Sequence, residues 1–153
     1  MIWFWLAVMA IAVVALIAWV LSRPARNRRR TARALAQFEQ RRGEYQWQFL
    51  TAASATGKPR GLAWKKCDLQ PGLVLARDRG NREFIALVGV TISFEAIEGG
   101  GMEEVEAVGN LRAATAVFHW NGRDWTTQGR AVFNLEPREA LERYGASLEP
   151  IST

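Results

Sequence analysis

Apolar and polar positions keep a different rhythm in each part of this chain of 153 residues. Residues 1–21, MIWFWLAVMAIAVVALIAWVL, are apolar throughout and carry no charge. At a rise of about 1.5 Å per residue, a helix of that length covers about 31 Å, close to the roughly 30 Å hydrocarbon core of a bilayer. Trp3 and Trp5 stand near one end and Trp19 near the other, where indole rings suit the two membrane interfaces. The pattern predicts a transmembrane anchor. A cleaved leader needs a basic residue ahead of a shorter apolar run and a small-residue cleavage site after it. This run has neither and ends Trp-Val-Leu-Ser-Arg-Pro, so the anchor is expected to be retained.

Pro24 predicts a kink or the start of a second helix, because proline cannot donate to the preceding turn. Further on, Leu35, Phe38, Tyr45, Phe49 and Ala52 recur at three-, four- and seven-residue steps, the stripe of an amphipathic helix. A local rival is an alternation of Tyr45, Trp47 and Phe49 with Glu44, Gln46 and Gln48. Gly57 and Pro59 decide for the helix, since glycine just past the last turn and proline beyond it are stop signals. The helix is expected to run to about Thr56, with Gly43 as its weak point.

After Pro59 the rhythm shortens to that of strands, expected over residues 62–67, 73–77 and 84–97, with Gly89 as a bulge or bend. Residues 102–108 fit a short helix or a strand equally. A hairpin is expected from residues 113–120 and 123–135 around Asn121-Gly122, a pair suited to a type I′ turn. A two-residue loop sets Trp120 opposite Arg123, His119 opposite Asp124 and Phe118 opposite Trp125. It gathers Ala114, Ala116, Phe118, Trp120, Trp125, Thr127, Gly129, Ala131 and Phe133 on the core face. Pro137 and Gly145 frame a short final helix that turns Leu141 and Tyr144 inward. The expected fold is α+β: a long helix packed on a curved antiparallel sheet of about five strands, closed by a short C-terminal helix. A cystatin- or NTF2-like roll and a PH-like barrel are the two versions. The expected organisation is an anchor over residues 1–21, an arginine-rich juxtamembrane stalk over 22–42 and a soluble domain over 43–153.

Charge sharpens this division. The chain has a net charge of +5, yet residues 23–42 hold eight arginines against Glu39 alone, while residues 43–153 hold twelve basic and fourteen acidic side chains. The basic character thus belongs to the stalk, and a nucleic-acid partner, which needs a basic face on the folded unit, is not expected. Arginine-rich flanks stay in the cytoplasm, so the N-terminus is expected outside and the C-terminal domain in the cytoplasm. Arg23, Arg26, Arg28, Arg29, Arg30 and Arg33 are a possible contact with the membrane surface, each adding about 1 kcal/mol of attraction to anionic lipid head groups. The positive-inside rule alone accounts for the same six. A single cysteine, Cys67, excludes an internal disulfide and suits a reducing compartment.

Candidate chemistry is sparse. The single histidine, His119, forms a polar pair with Asp124 in the expected register, and a carboxylate can orient an imidazole as a general base. No nucleophile or third group accompanies them, so the pair reads first as a surface contact beside a tight turn. Lys65 and Lys66 precede Cys67 and would lower its pKa if they lay against it; a buried apolar thiol is the plainer reading. Glu95, Glu98, Glu103, Glu104 and Glu106 surround Gly99–Gly101 without the oxygen spacing of a calcium loop, and read as a solvated acidic segment or a docking surface for a basic partner. Gly57-Lys58 lacks the preceding glycine and following hydroxyl of a phosphate loop. No catalytic residue, cofactor or metal is therefore assigned.

Two stretches, LTAASATGKPRGLAWKKCD and EAVGNLRAATAVFHWNGRDWTTQGRAVFNL, together about a third of the chain, resemble segments of small bacterial proteins with an N-terminal membrane anchor and no assigned activity. The resemblance implies an anchor and no site residues. Two functions remain open at this point. One is a membrane-tethered, non-enzymatic module that binds an unknown ligand or protein partner. The other is a small ligand-pocket protein or enzyme on a helix-on-sheet roll, which requires two or more of His119, Asp124, Cys67, Asp78 and Glu95 to meet in a deep pocket.

Overall fold

A computed structural model describes residues 2–56 and 61–151. Helix α1 (Ile2–Gln40) runs through Pro24, so of the two expectations there, a kink or a new helix, the new helix does not form. Proline brings no N–H to the Val20 carbonyl one turn back. The Ser22 hydroxyl and the Arg26 guanidinium both donate to the Trp19 carbonyl, at 2.9 and 3.0 Å. The helix is long and apolar enough to cross a membrane, and its side chains from Trp3 to Leu21 are exposed. The chain divides into two compact units, the first ending at Ala36 and the second starting at Gln37.

Helix α2 (Arg42–Thr56) follows after one residue, Arg41. Hydrogen bonds from Arg41 N to Gln37 O and from Tyr45 N to Arg41 O, both 3.1 Å, carry the helical pattern across the break. The helical stripe wins over the local alternation: Tyr45, Phe49 and Ala53 are buried, while Trp47 is exposed. The expected end at Thr56 holds; the stop signals Gly57 and Pro59 lie outside the described residues.

Among the described residues the antiparallel sheet has seven strands where about five were expected: β1 (Leu62–Leu69), β2 (Val74–Asp78), β3 (Phe84–Ala96), β4 (Arg112–Trp120), β5 (Trp125–Thr126), β6 (Ala131–Phe133) and β7 (Leu148–Pro150). The apolar run after the hairpin turn divides into β5 and β6, and β7 follows the last helix to pair with β2. The path β5-β4-β3-β2-β7 is open, as in a roll, with β1 added to β3 and β6 to β4. Gly89 makes no bulge. It pairs with Thr115 in an unbroken β3–β4 ladder. The register shift lies in β1, between Trp64 and Lys66. It adds one residue, so Trp64 and Cys67 reach the same face although three positions separate them. Residues 102–108 become turns leading into a 3₁₀ helix (Glu106–Gly109) rather than a strand or a full helix.

Alternation on β3 and β4 supplies two buried faces. On one, Ala86, Val88, Val90 and Ile92 join Phe118, Ala116 and Ala114 beneath Phe38, Tyr45 and Phe49. Aromatic contacts knit this core: Phe118 lies 5.1 Å from Phe38, 6.0 Å from Phe49 and 6.3 Å from Tyr45, ring centre to ring centre. Towards the sheet's far end, Phe94 bridges Trp64 of β1 (5.0 Å) and Phe133 of β6 (6.5 Å), and those two rings themselves come to 6.4 Å. Strands on opposite borders therefore converge over α2, which is the curl of the sheet. On the other face, Ala76, Ile85, Leu87, Val117 and Leu148 form a smaller core with Ala140. Ala140 belongs to α3 (Pro137–Arg143), whose start is set by Pro137 and by a reciprocal capping box between Glu136 and Glu139. Thr115, the one buried polar side chain on β4, donates to Leu135 O at 2.6 Å.

Candidate functional site

The hairpin between β4 and β5 closes differently from its expected form, and the difference builds the main polar cluster of the domain. Trp120 pairs with Trp125 and His119 with Thr126, so four residues rather than two form the loop. Asn121 explains the longer loop. Its side-chain oxygen accepts from the N–H groups of Arg123 (3.0 Å) and Asp124 (2.9 Å), and Asn121 N donates to Asp124 O at 3.1 Å. This Asx-type turn outcompetes the two-residue type I′ loop because it satisfies more of the loop's backbone donors. The slip is two residues, so the face expected for β4 survives. The His119–Asp124 pair does not.

Asp124 turns instead to the helices. Its Oδ1 accepts from Tyr45 Oη at 2.5 Å, from Gln37 Nε2 at 3.0 Å and from Trp125 N at 2.9 Å. Its Oδ2 accepts from the Arg41 guanidinium at 2.8 Å. Gln37 also donates to Arg123 O at 3.1 Å, and Arg41 grips Glu44 at 2.6 Å. Burial by itself pushes the Asp124 carboxyl up; the hydrogen bonds from Tyr45, Arg41 and Trp125 outweigh it and hold the group below its ordinary value. Burial, followed by the adjoining Asp124 carboxylate, pushes the Tyr45 phenol up. The Arg41 guanidinium is held charged, first by Glu44 and then by Asp124. Two carboxylates, one cation and a phenol thus form a clamp that pins the hairpin tip to the junction of α1 and α2. Its members are already engaged with one another, which suits scaffolding better than turnover. None of Gln37, Arg41 and Tyr45 stood out as a site residue in the sequence.

A carboxyl lowered in the folded state contributes stability above its unfolded pKa of about 3.9, and loses that contribution as pH falls through the folded value. Asp124→Ala is expected to cost about 1–2 kcal/mol at neutral pH, because it leaves the buried Tyr45 hydroxyl without its acceptor. Thermal melts of the full chain in mild detergent at pH 7 and pH 3 check this. The variant should melt lower at pH 7, and the gap from the parent should narrow at pH 3.

The remaining candidates are scattered. His119 borders a shallow surface groove with Asn81, Glu83 and Gln128, and Asp124 is not among its lining residues. Cys67 is buried beneath α2, where its thiol meets Gln46 O at 3.6 Å and the Gln46 side chain accepts from Leu69 N at 3.0 Å. Burial, then Asp68, pushes the thiol up to about 11, as the plainer reading of a buried apolar thiol expects; Lys66 pairs with Asp68 at 2.9 Å rather than activating it. Asp78 caps its own turn, accepting from Gly80 N at 2.7 Å and Asn81 N at 3.1 Å. In the acidic segment, Glu103 accepts from Gly99 N at 2.5 Å, and backbone N–H groups hold its carboxyl below the ordinary value. Glu95 is exposed on β3 opposite Ala63. Among the described residues, no group of three or more His, Cys, Asp or Glu is placed to hold a metal ion.

Of the stalk arginines, Arg41 and Arg42 belong to the architecture of the folded domain. Arg41 completes the clamp, and Arg42 donates to Gln70 O at 2.6 Å and to Gly72 O at 3.3 Å while pairing with Glu39 at 2.5 Å. Arg23, Arg26, Arg28, Arg29, Arg30 and Arg33 are all exposed on α1. No protein-family model, no curated protein and no solved structure matches the chain, so this geometry is the basis for a functional reading.

Proposed function

We propose that the chain is a single-pass membrane protein whose α+β domain is a non-enzymatic binding module for a protein partner at the cytoplasmic surface. The observation that carries the binding role is Trp47. On the helix that covers the main core, its indole stands 69% exposed while Tyr45 and Phe49 beside it in sequence are buried. Tryptophan is over-represented among the residues that anchor protein interfaces. The uncharged, exposed apolar stretch from Trp3 to Leu21 supports the tether, and the arginines that follow it support the orientation. Against a reaction stands the state of the candidate groups: Asp124 is held by four donors and Cys67 is shielded and protonated.

The test uses the full chain in native membranes with a photo-cross-linking residue at position 47, and a second version with it at the exposed Arg138 on α3. A discrete protein adduct is expected from position 47 and not from position 138, in a pellet that resists alkaline extraction, with the domain digested only when the cytoplasmic side is opened to protease. No adduct at position 47 above the level at position 138 removes the binding role. Release of the chain from the pellet removes the tether.

A further inference from the structure

Trp19, Arg23, Arg26 and Arg30 succeed one another at four-, three- and four-residue steps along α1. At 3.6 residues per turn, these four side chains fall within about 60° of arc. Arg28 lies opposite them and Arg29 well to one side. The stripe is shaped as well as aligned. The Arg23 guanidinium stacks 3.6 Å from the centre of the Trp19 ring, and Arg26 is drawn towards the same turn by its bond to the Trp19 carbonyl. Together with Asn27 and Arg30 these residues line a shallow groove on the helix surface. Stacking on an indole fixes the plane of a guanidinium and leaves its in-plane N–H groups pointing outward, the arrangement that grips two oxygens of a phosphate.

Depth selects the ligand. If Trp19 marks the edge of the hydrocarbon, Arg23 sits about 6 Å and Arg26 about 10 Å beyond it along the axis, within and just outside the polar headgroup layer of a bilayer. We propose that the Trp19-Arg23-Arg26 groove binds the phosphate of an anionic phospholipid headgroup, with Arg30 adding charge from the turn above. The inference rests on the membrane-tether reading and goes further, because it assigns lipid contact to one face of the helix rather than to arginine content as a whole. Topology requires only charge, and the stacked, grooved face goes beyond that requirement.

The full chain is reconstituted in lipid discs containing equal phosphatidylglycerol and phosphatidylcholine, and the lipids retained after transfer to detergent are weighed by native mass spectrometry. The parent should retain phosphatidylglycerol over phosphatidylcholine on the order of tenfold or more, the scale of two surface cations acting together. Arg23→Gln with Arg26→Gln should abolish the preference, while Arg28→Gln with Arg29→Gln, which removes the same charge from other faces, should keep it. Equal losses in the two variants would leave a diffuse electrostatic field and overturn the site. Displacement of the retained lipid by millimolar inorganic phosphate would make it a soluble-anion site and overturn the lipid assignment. Failure of the chain to enter the discs refutes the tether itself, whereas entry without lipid preference refutes only the groove.

Discussion

Phe118→Ala is expected to lower the melting temperature of the domain by about 10–20 °C, the largest loss of any single side-chain truncation considered. Phe118 is fully buried on β4, with Phe38, Tyr45 and Phe49 all within 6.3 Å of its ring centre. Truncation removes the apolar area of a whole phenyl group and leaves a cavity that the three other aromatic rings, held by α1 and α2, cannot fill. Phe→Ala changes at such sites cost about 3–5 kcal/mol, a large share of the 5–15 kcal/mol that holds an ordinary domain together. At roughly 4 °C per kcal/mol for a domain of this size, the shift follows. Melts of the full chain in mild detergent, followed by near-ultraviolet circular dichroism, measure it. A fall of only a few degrees would mean that the helices do not pack on β4 as described.

The second large effect comes from backbone rather than side chain. Gly129 joins β5 to β6 at φ +74°, and a Cβ placed there would lie 2.2 Å from Ala53 N and 2.5 Å from both Ala52 C and Ala53 Cα. Those atoms are the main chain of α2 and cannot swing aside as a side-chain tip would. Gly129→Ala therefore asks the connection to hold a left-handed conformation, at about 1–2 kcal/mol, and the sheet edge to retreat from the helix as well. The expected loss is about 3 kcal/mol or more, with a melting temperature at least 10 °C lower. Gly43→Ala is the contrast. It lies in α2 with nothing within 4 Å of an added Cβ, and should stabilise the chain by about 0.5–1 kcal/mol through helix propensity. If both changes proved neutral in the same melts, the close approach of the β5–β6 connection to α2 would be refuted.

The clamp at Asp124 shows why the chemistry was harder to read than the elements. Asn-Gly between two apolar runs marked the turn, and the alternation of Ala114, Ala116 and Phe118 marked the buried face; both are local signals. The register was a competition between two loops, decided by how many backbone N–H groups Asn121 could satisfy. With the register went the His119–Asp124 pair, and Asp124 found partners 79 to 87 positions away in Tyr45, Arg41 and Gln37. No spacing in the sequence announces a contact across such a distance. Cys67 is the simpler case: a lone cysteine reads as a small buried hydrophobe, and its burial beneath α2 pushes the thiol up in spite of the lysines beside it in the chain.

What this sequence determined by itself was whatever depends on neighbours a few residues apart. The uncharged run to Leu21, the helix ending at Thr56, the long strand through Phe94 and the Pro137 helix all follow from periodicity, caps and breakers, and all are present. Tertiary structure alone decided what depends on closing long loops. The seventh strand forms because β2 offers an edge to Leu148–Pro150, the curl arises because Phe94 draws two sheet borders together, and Arg41 becomes a clamp because the hairpin tip arrives beside it. These contacts gain their energy only once the distant partner is in place, so no local pattern has to encode them.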